Sequence, residues 1–161
     1  PVTPPLAGNA ATASHPATYL GTTGLAVTKA VNAVDPQHPT AAEDANTVGP
    51  TLPYGSTVTF SYLVTNTSTG PMQITDLVDD NATPGIADDA SLARGQITGL
   101  LTTGTGVNVG DTNANGTFDP GEGWVFLWRR IVDQLVSHTN TAVISAQNSA
   151  GQPVTASAVA Y

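Results

Sequence analysis

Hydrophobic and polar residues alternate most regularly over residues 56–66, where Val58, Phe60, Tyr62 and Val64 are interleaved with Thr57, Thr59, Ser61 and Leu63. A period of two places the four larger apolar side chains on one face of an extended segment, so the spacing predicts a sheet strand with a strongly apolar side. Similar segments follow. Residues 25–31 form the first, and 72–78 come after a turn at 67–71. Residues 124–135 carry Trp124, Phe126 and Trp128 on one face, and 138–147 and 153–161 close the chain. Residues 91–101 and 106–109 are weaker strand candidates because glycines interrupt them. About seven strands with turns at short intervals predict an all-β, Ig-like antiparallel β-sandwich. A helix over 124–135 is the main local alternative.

Residues 1–24 behave differently. They are rich in Pro, Ala and Thr and have no strong apolar period, so they read as an extended N-terminal arm ahead of a sandwich domain at 25–161. Composition supports the division into strands and turns. Charged residues are only 10% of the chain, against about 25% in ordinary soluble domains, and 16 Gly and 12 Pro supply turns. Lys29 is the only lysine, and Glu43 and Glu122 are the only glutamates, which leaves almost no material for helix-surface ion pairs.

The same composition excludes several functions. A net charge of −8 with four Lys and Arg in total argues against nucleic acid, whose phosphates need clustered cations. No apolar run is long enough for a membrane span. No signal-peptide pattern opens the sequence, so Pro1 is expected to be a processed terminus or a cut within a longer protein. With no cysteine, disulfides, thiolate catalysis and Cys-ligated metals are absent. His15, His38 and His138 are scattered without a partnering pattern, and no nucleophile-elbow, zinc-protease or phosphate-loop motif occurs. The chain therefore reads as a secreted or cell-surface protein and not as an enzyme.

The segment with most chemistry is Asp111-Thr112-Asn113-Ala114-Asn115-Gly116-Thr117-Phe118-Asp119-Pro120-Gly121-Glu122. It fits the twelve-residue calcium loop at its diagnostic positions. Asp111, Asn113 and Asn115 offer side-chain oxygens at positions 1, 3 and 5, and Gly116 allows the sharp turn at 6. Thr117 offers its carbonyl at 7, Asp119 binds directly or through water at 9, and Glu122 can chelate at 12. Phe118 is expected to anchor the loop on the core. Helices that would flank such a loop in a sensor are missing, so Ca²⁺ would fix a long loop between strands. Three charges and two amides predict an affinity near 10⁻⁴–10⁻³ M or somewhat tighter. The further acidic group Asp76, Asp79, Asp80, Asp88 and Asp89 reads as a solvated, turn-forming loop, with a second cation site as the alternative.

Lys29-Ala30-Val31-Asn32, Gly49-Pro50-Thr51-Leu52 and Gly55-Ser56-Thr57-Val58-Thr59-Phe60-Ser61-Tyr62-Leu63-Val64-Thr65-Asn66-Thr67 resemble the opening of the DUF11-like repeat domains. The loop at 111–122 with Gly123-Trp124, and Thr139-Asn140-Thr141-Ala142-Val143, are similar to later elements of that family. The resemblance spans residues 25–161. It implies an Ig-like sandwich in bacterial or archaeal surface proteins, structural or adhesive, with no catalytic residues.

Two further readings concern single segments. Lys29 is expected to be an edge-strand lysine that discourages aggregation. Its alternative is a covalent amide to Asn140, with Asp76 shuttling protons, which needs a neutral, buried amine. In the arm, Gly8-Asn9-Ala10-Ala11-Thr12-Ala13-Ser14 parallels Gly151-Gln152-Pro153-Val154-Thr155-Ala156-Ser157, and tyrosines follow at Tyr19 and Tyr161. The arm thus looks like a second copy of the closing strand, available either to a neighbouring copy of the chain or as the tail of a preceding repeat. Head-to-tail strand addition would use Val2, Leu6, Ala11, Ala13, Tyr19 and Leu20, and its product would be a filament. The rival expectation is an adhesin or carbohydrate-binding module, with Trp124, Trp128, Tyr54 and Tyr62 as an aromatic platform for surface glycans.

Overall fold

The computed structural model describes residues 24–44 and 49–160. The arm residues Val2, Leu6, Ala11, Ala13, Tyr19 and Leu20 lie outside that range. Among the described residues there are eight strands and no helix: β1 Leu25–Val31, β2 Thr57–Asn66, β3 Met72–Asp79, β4 Ala90–Ser91, β5 Thr98–Gly99, β6 Gly123–Ile131, β7 Asn140–Asn148 and β8 Pro153–Ala160. They form two antiparallel four-stranded sheets, ordered β1-β2-β6-β5 and β4-β3-β7-β8. With the two-residue β4 set aside, this is the four-plus-three strand order of an immunoglobulin-type sandwich.

The alternation in β2 does what its period demands. Val58, Phe60, Tyr62 and Val64 are all buried, and the antiparallel register sets Phe60 opposite Trp128, Tyr62 opposite Phe126 and Val64 opposite Trp124. Phe60 and Trp128 stack with ring centroids 5.4 Å apart. Leu77, Ala142, Ile144 and Ala146 of the second sheet fill the other side of this core. Residues 124–131 are therefore strand, and the helical alternative fails because their aromatic side chains pair across the sheet.

The middle of the chain departs from expectation. Residues 91–101 do not make one strand. Ala90–Ser91 joins β3, and Thr98–Gly99 joins β6 in the opposite sheet, so the segment crosses between layers. Residues 106–109 form only an isolated bridge, Leu101 to Asn108. There the Asn108 side chain substitutes for a strand. Its Nδ2 donates to the Val125 carbonyl at 2.8 Å, and its Oδ1 accepts from the Val125 amide at 2.9 Å. A carboxamide thereby satisfies the edge of β6 as a peptide group would.

β3 contains an irregularity between Ile74 and Asp76 where the pairing with β7 shifts by one residue. Before it, Met72 and Ile74 face the core. After it, Leu77 and Asp79 do, and both are fully buried. A bulge reverses which side of the sheet each later side chain occupies. This one turns Asp79 inward and Asp76 outward.

Candidate functional site

The loop at 111–122 leaves the Asn108 corner and returns into β6. Gly116 adopts φ of 75°, the left-handed backbone that the sharp turn requires. Phe118 is buried, as expected of an anchor. Its ring lies 5.2 Å from Trp124, and its carbonyl accepts from the Met72 amide of β3 at 3.0 Å. The predicted ligands do not all do the same work. Asp111 accepts from the amides of Asn115 and Gly116, at 3.2 and 2.8 Å. Asn113 and Asn115 converge on Asp119 Oδ2 through their Nδ2 atoms, at 3.0 and 2.8 Å. The Asn115 Oδ1 accepts from the Thr117 amide at 2.7 Å.

Glu122 is buried and fully engaged. Its Oε1 accepts from the amide and hydroxyl of Thr112, at 2.8 and 3.1 Å, and its Oε2 from the Asp119 amide and Trp124 Nε1, at 3.1 and 3.0 Å. Four donors occupy the four lone-pair directions of the carboxylate. Glu122 thus clamps the two ends of the loop together, and as a chelator it would exchange some of these partners for the ion. The side chains at 111, 113, 115, 119 and 122 and the Thr117 carbonyl are an all-oxygen donor set, which suits Ca²⁺. Among the described residues no three His, Cys, Asp or Glu side chains make a metal-holding group, so this set depends on its amides and carbonyl.

The clamp can be tested without metal. A Glu122→Gln chain presents an NH₂ where two of the four donors now find an acceptor. It is expected to lose about 1–3 kcal/mol in urea unfolding run in chelator. An unchanged midpoint would mean that the carboxylate holds nothing.

The second cluster was not the leading expectation. Lys29 points from β1 into the core with 0% of its surface exposed, and it is not a solvent-facing edge lysine. Its Nζ lies 2.7 Å from Asp79 Oδ2, which is also fully buried, and 3.2 Å from the Asn140 carbonyl oxygen. The ring centroids of Phe60 and Tyr62 are 4.9 and 5.8 Å from the same nitrogen. Asp79 Oδ2 also accepts the Tyr62 hydroxyl at 2.6 Å, while Oδ1 accepts Asn140 Nδ2 at 2.7 Å. The buried Asn140 Oδ1 has no hydrogen-bond partner. Burial pulls the Lys29 amine below its ordinary range, against the opposing pull of Asp79 and Asp80, and burial pushes the Tyr62 phenol up.

The remaining acidic residues separate into local tasks. Asp76 caps Leu77 and Ala93 amides, Asp80 accepts from Ala82 and Thr141, and Asp88 accepts from Thr83 and Asn81. The proposed aromatic platform is not assembled. Tyr62 and Trp128 are core residues, Trp124 packs on Phe118, and Tyr54 stands apart with 66% exposure. His38 pairs with Asp35 on the surface. No helix among the described residues is long and apolar enough to cross a membrane. Compared with known families and with curated proteins, the chain matches no family model and no curated sequence.

Proposed function

We propose that this chain is a structural subunit of an extracellular filament or surface fibre, built head to tail by N-terminal strand addition and stiffened by Ca²⁺ at 111–122. The observation that carries this reading is that β8, Pro153–Ala160, already completes the second sheet beside β7, while residues 8–14 repeat the sequence of its beginning. The place of the closing strand beside β7 is thus already filled by β8. Among the described residues β8 has a hydrogen-bonded neighbour only on its β7 side; β1 of the other sheet lies close to it without ladder bonds, so an incoming strand would find unpaired main-chain groups there beside β1. The resemblance to DUF11-like surface repeats agrees with a structural role outside the cell.

Deleting residues 1–20 is expected to leave a folded monomer in sedimentation and electron microscopy, while the full chain forms polymers. Polymers from the shortened chain would overturn the donor role of Val2–Leu20. For the ion, about 10 mM Ca²⁺ is expected to raise the melting temperature of the full chain, because a ligand that binds only the folded state stabilises it. The Glu122→Gln chain should show little of that rise. Equal calcium responses in both chains would remove Glu122 from the site.

A further inference from the structure

We propose that Lys29 and Asn140 become joined by a side-chain amide that the folded protein makes by itself, with Asp79 as the catalytic residue. The reacting groups are already gathered on one carboxylate: Asp79 holds the Lys29 amine on Oδ2 and the Asn140 carboxamide on Oδ1. The contact from Nζ to the Asn140 backbone carbonyl keeps the amine beside the same residue. Three strands from both sheets supply the parts, with Lys29 on β1, Asp79 at the end of β3 and Asn140 at the start of β7. Folding therefore does the work of bringing amine and carboxamide together, which an open chain would do rarely.

The step balances without any co-reactant. The Lys29 ammonium gives one proton to Asp79, and the free amine attacks Cγ of Asn140. Asp79 returns a proton to the departing nitrogen as the Nζ–Cγ bond forms and the Cγ–Nδ2 bond breaks. Ammonia leaves, and the second proton released by Lys29 remains on Asp79. A buried ammonium and a buried carboxylate are thereby replaced by a neutral amide and a neutral carboxylic acid. Taking charges out of water is costly, so a site dry enough to burden the ion pair favours the neutral products. The product also answers an anomaly of the unreacted arrangement. The Asn140 oxygen, buried without a donor, would gain one in the protonated Asp79. Phe60 and Tyr62 shield the amine from water, and the Tyr62 hydroxyl fixes the carboxyl group that must pass the proton.

An ion pair with no covalent bond is the competing account, and mass separates the two. The purified full chain is expected to weigh one ammonia less than its sequence. Its proteolytic digest should contain a single branched fragment carrying both Lys29 and Asn140. Asp79→Asn keeps the shape of the side chain but cannot relay the proton, so that chain and Lys29→Arg should both show the full sequence mass. A wild-type chain at full mass overturns the bond. So does an ammonia loss that maps elsewhere, for example to a cyclised Asn115-Gly116. A branched fragment formed equally well in the Asp79→Asn chain overturns the role of Asp79. The wild-type digest stands even where a variant fails to fold, and none of these results depends on filament formation.

Discussion

The Asp79→Ala chain is expected to be the least stable single variant of the core cluster, melting roughly 10 °C or more below the wild type. Removing one partner of a buried ion pair leaves the other charge without compensation, at a cost of about 3–5 kcal/mol. Here the orphan would be Lys29, enclosed by Phe60 and Tyr62 and fully buried. The Tyr62 hydroxyl and Asn140 Nδ2 would lose their acceptor in the same stroke. A Lys29→Met chain should suffer less. The orphan there is the Asp79 carboxylate, and it keeps three hydrogen-bond donors, the Tyr62 hydroxyl, Asn140 Nδ2 and the Asn81 amide, whereas an orphaned Lys29 keeps only the Asn140 carbonyl. Both variants lose the proposed amide, which closes a loop across 111 positions and would constrain the unfolded chain by about 4–5 kcal/mol if it behaves as a disulfide does. The expected order in thermal unfolding is therefore wild type, Lys29→Met, then Asp79→Ala. If the two variants melt together, Lys29 has a route to water that its surroundings deny it.

A comparable loss is expected from a single methyl group at the mouth of the loop. In a Gly110→Ala chain the new carbon would sit 1.8 Å from the Gly123 carbonyl oxygen and 2.5 Å from its carbon. Both obstacles are main chain, so no rotamer change relieves the overlap, and the loop entry must separate from the first residue of β6. The cost should reach about 3 kcal/mol or more. Trp124 fluorescence should report it, because that ring packs on Phe118 within the same loop. Gly116 makes the informative contrast. A methyl group there meets nothing within 4 Å, and only its positive φ opposes alanine, at about 1–2 kcal/mol. If Gly116→Ala proves the more damaging of the two, turn conformation and not close approach governs this loop.

Much of this architecture was readable from the chain because β2, β6, β7 and β8 are long and keep their period. Val58, Phe60, Tyr62 and Val64 announce one face of a sheet, and that face is the core. The loop at 111–122 was readable for another reason: its glycine and its alternating oxygens are local features, and Gly116 and Phe118 sit as their types suggest. The catalytic cluster was legible only in part. The leading expectation for Lys29 is an exposed edge lysine, and its pairing with Asn140 is only the alternative, with Asp76 as the helper. Counting in twos from Met72 through Ile74 brings Asp76 to the inside, and the bulge after Ile74 undoes that count. A one-residue bulge leaves little trace in composition. The only lysine of the chain, set between apolar residues in Leu25–Val31, was the available hint that its amine was not meant for water. The Asn108 pairing leaves no mark in the sequence, because a side chain acting as backbone has no period at all.

Phe118 has one more implication. Its carbonyl takes the Met72 amide of β3 and also Asn66 Nδ2 at the end of β2, although the loop that carries it begins and ends beside β6. The loop is thus a bolt passed through two plates. Whatever tightens its head, an ion included, would resist the sliding of one plate over the other, which is the deformation a pulled fibre imposes on each of its links.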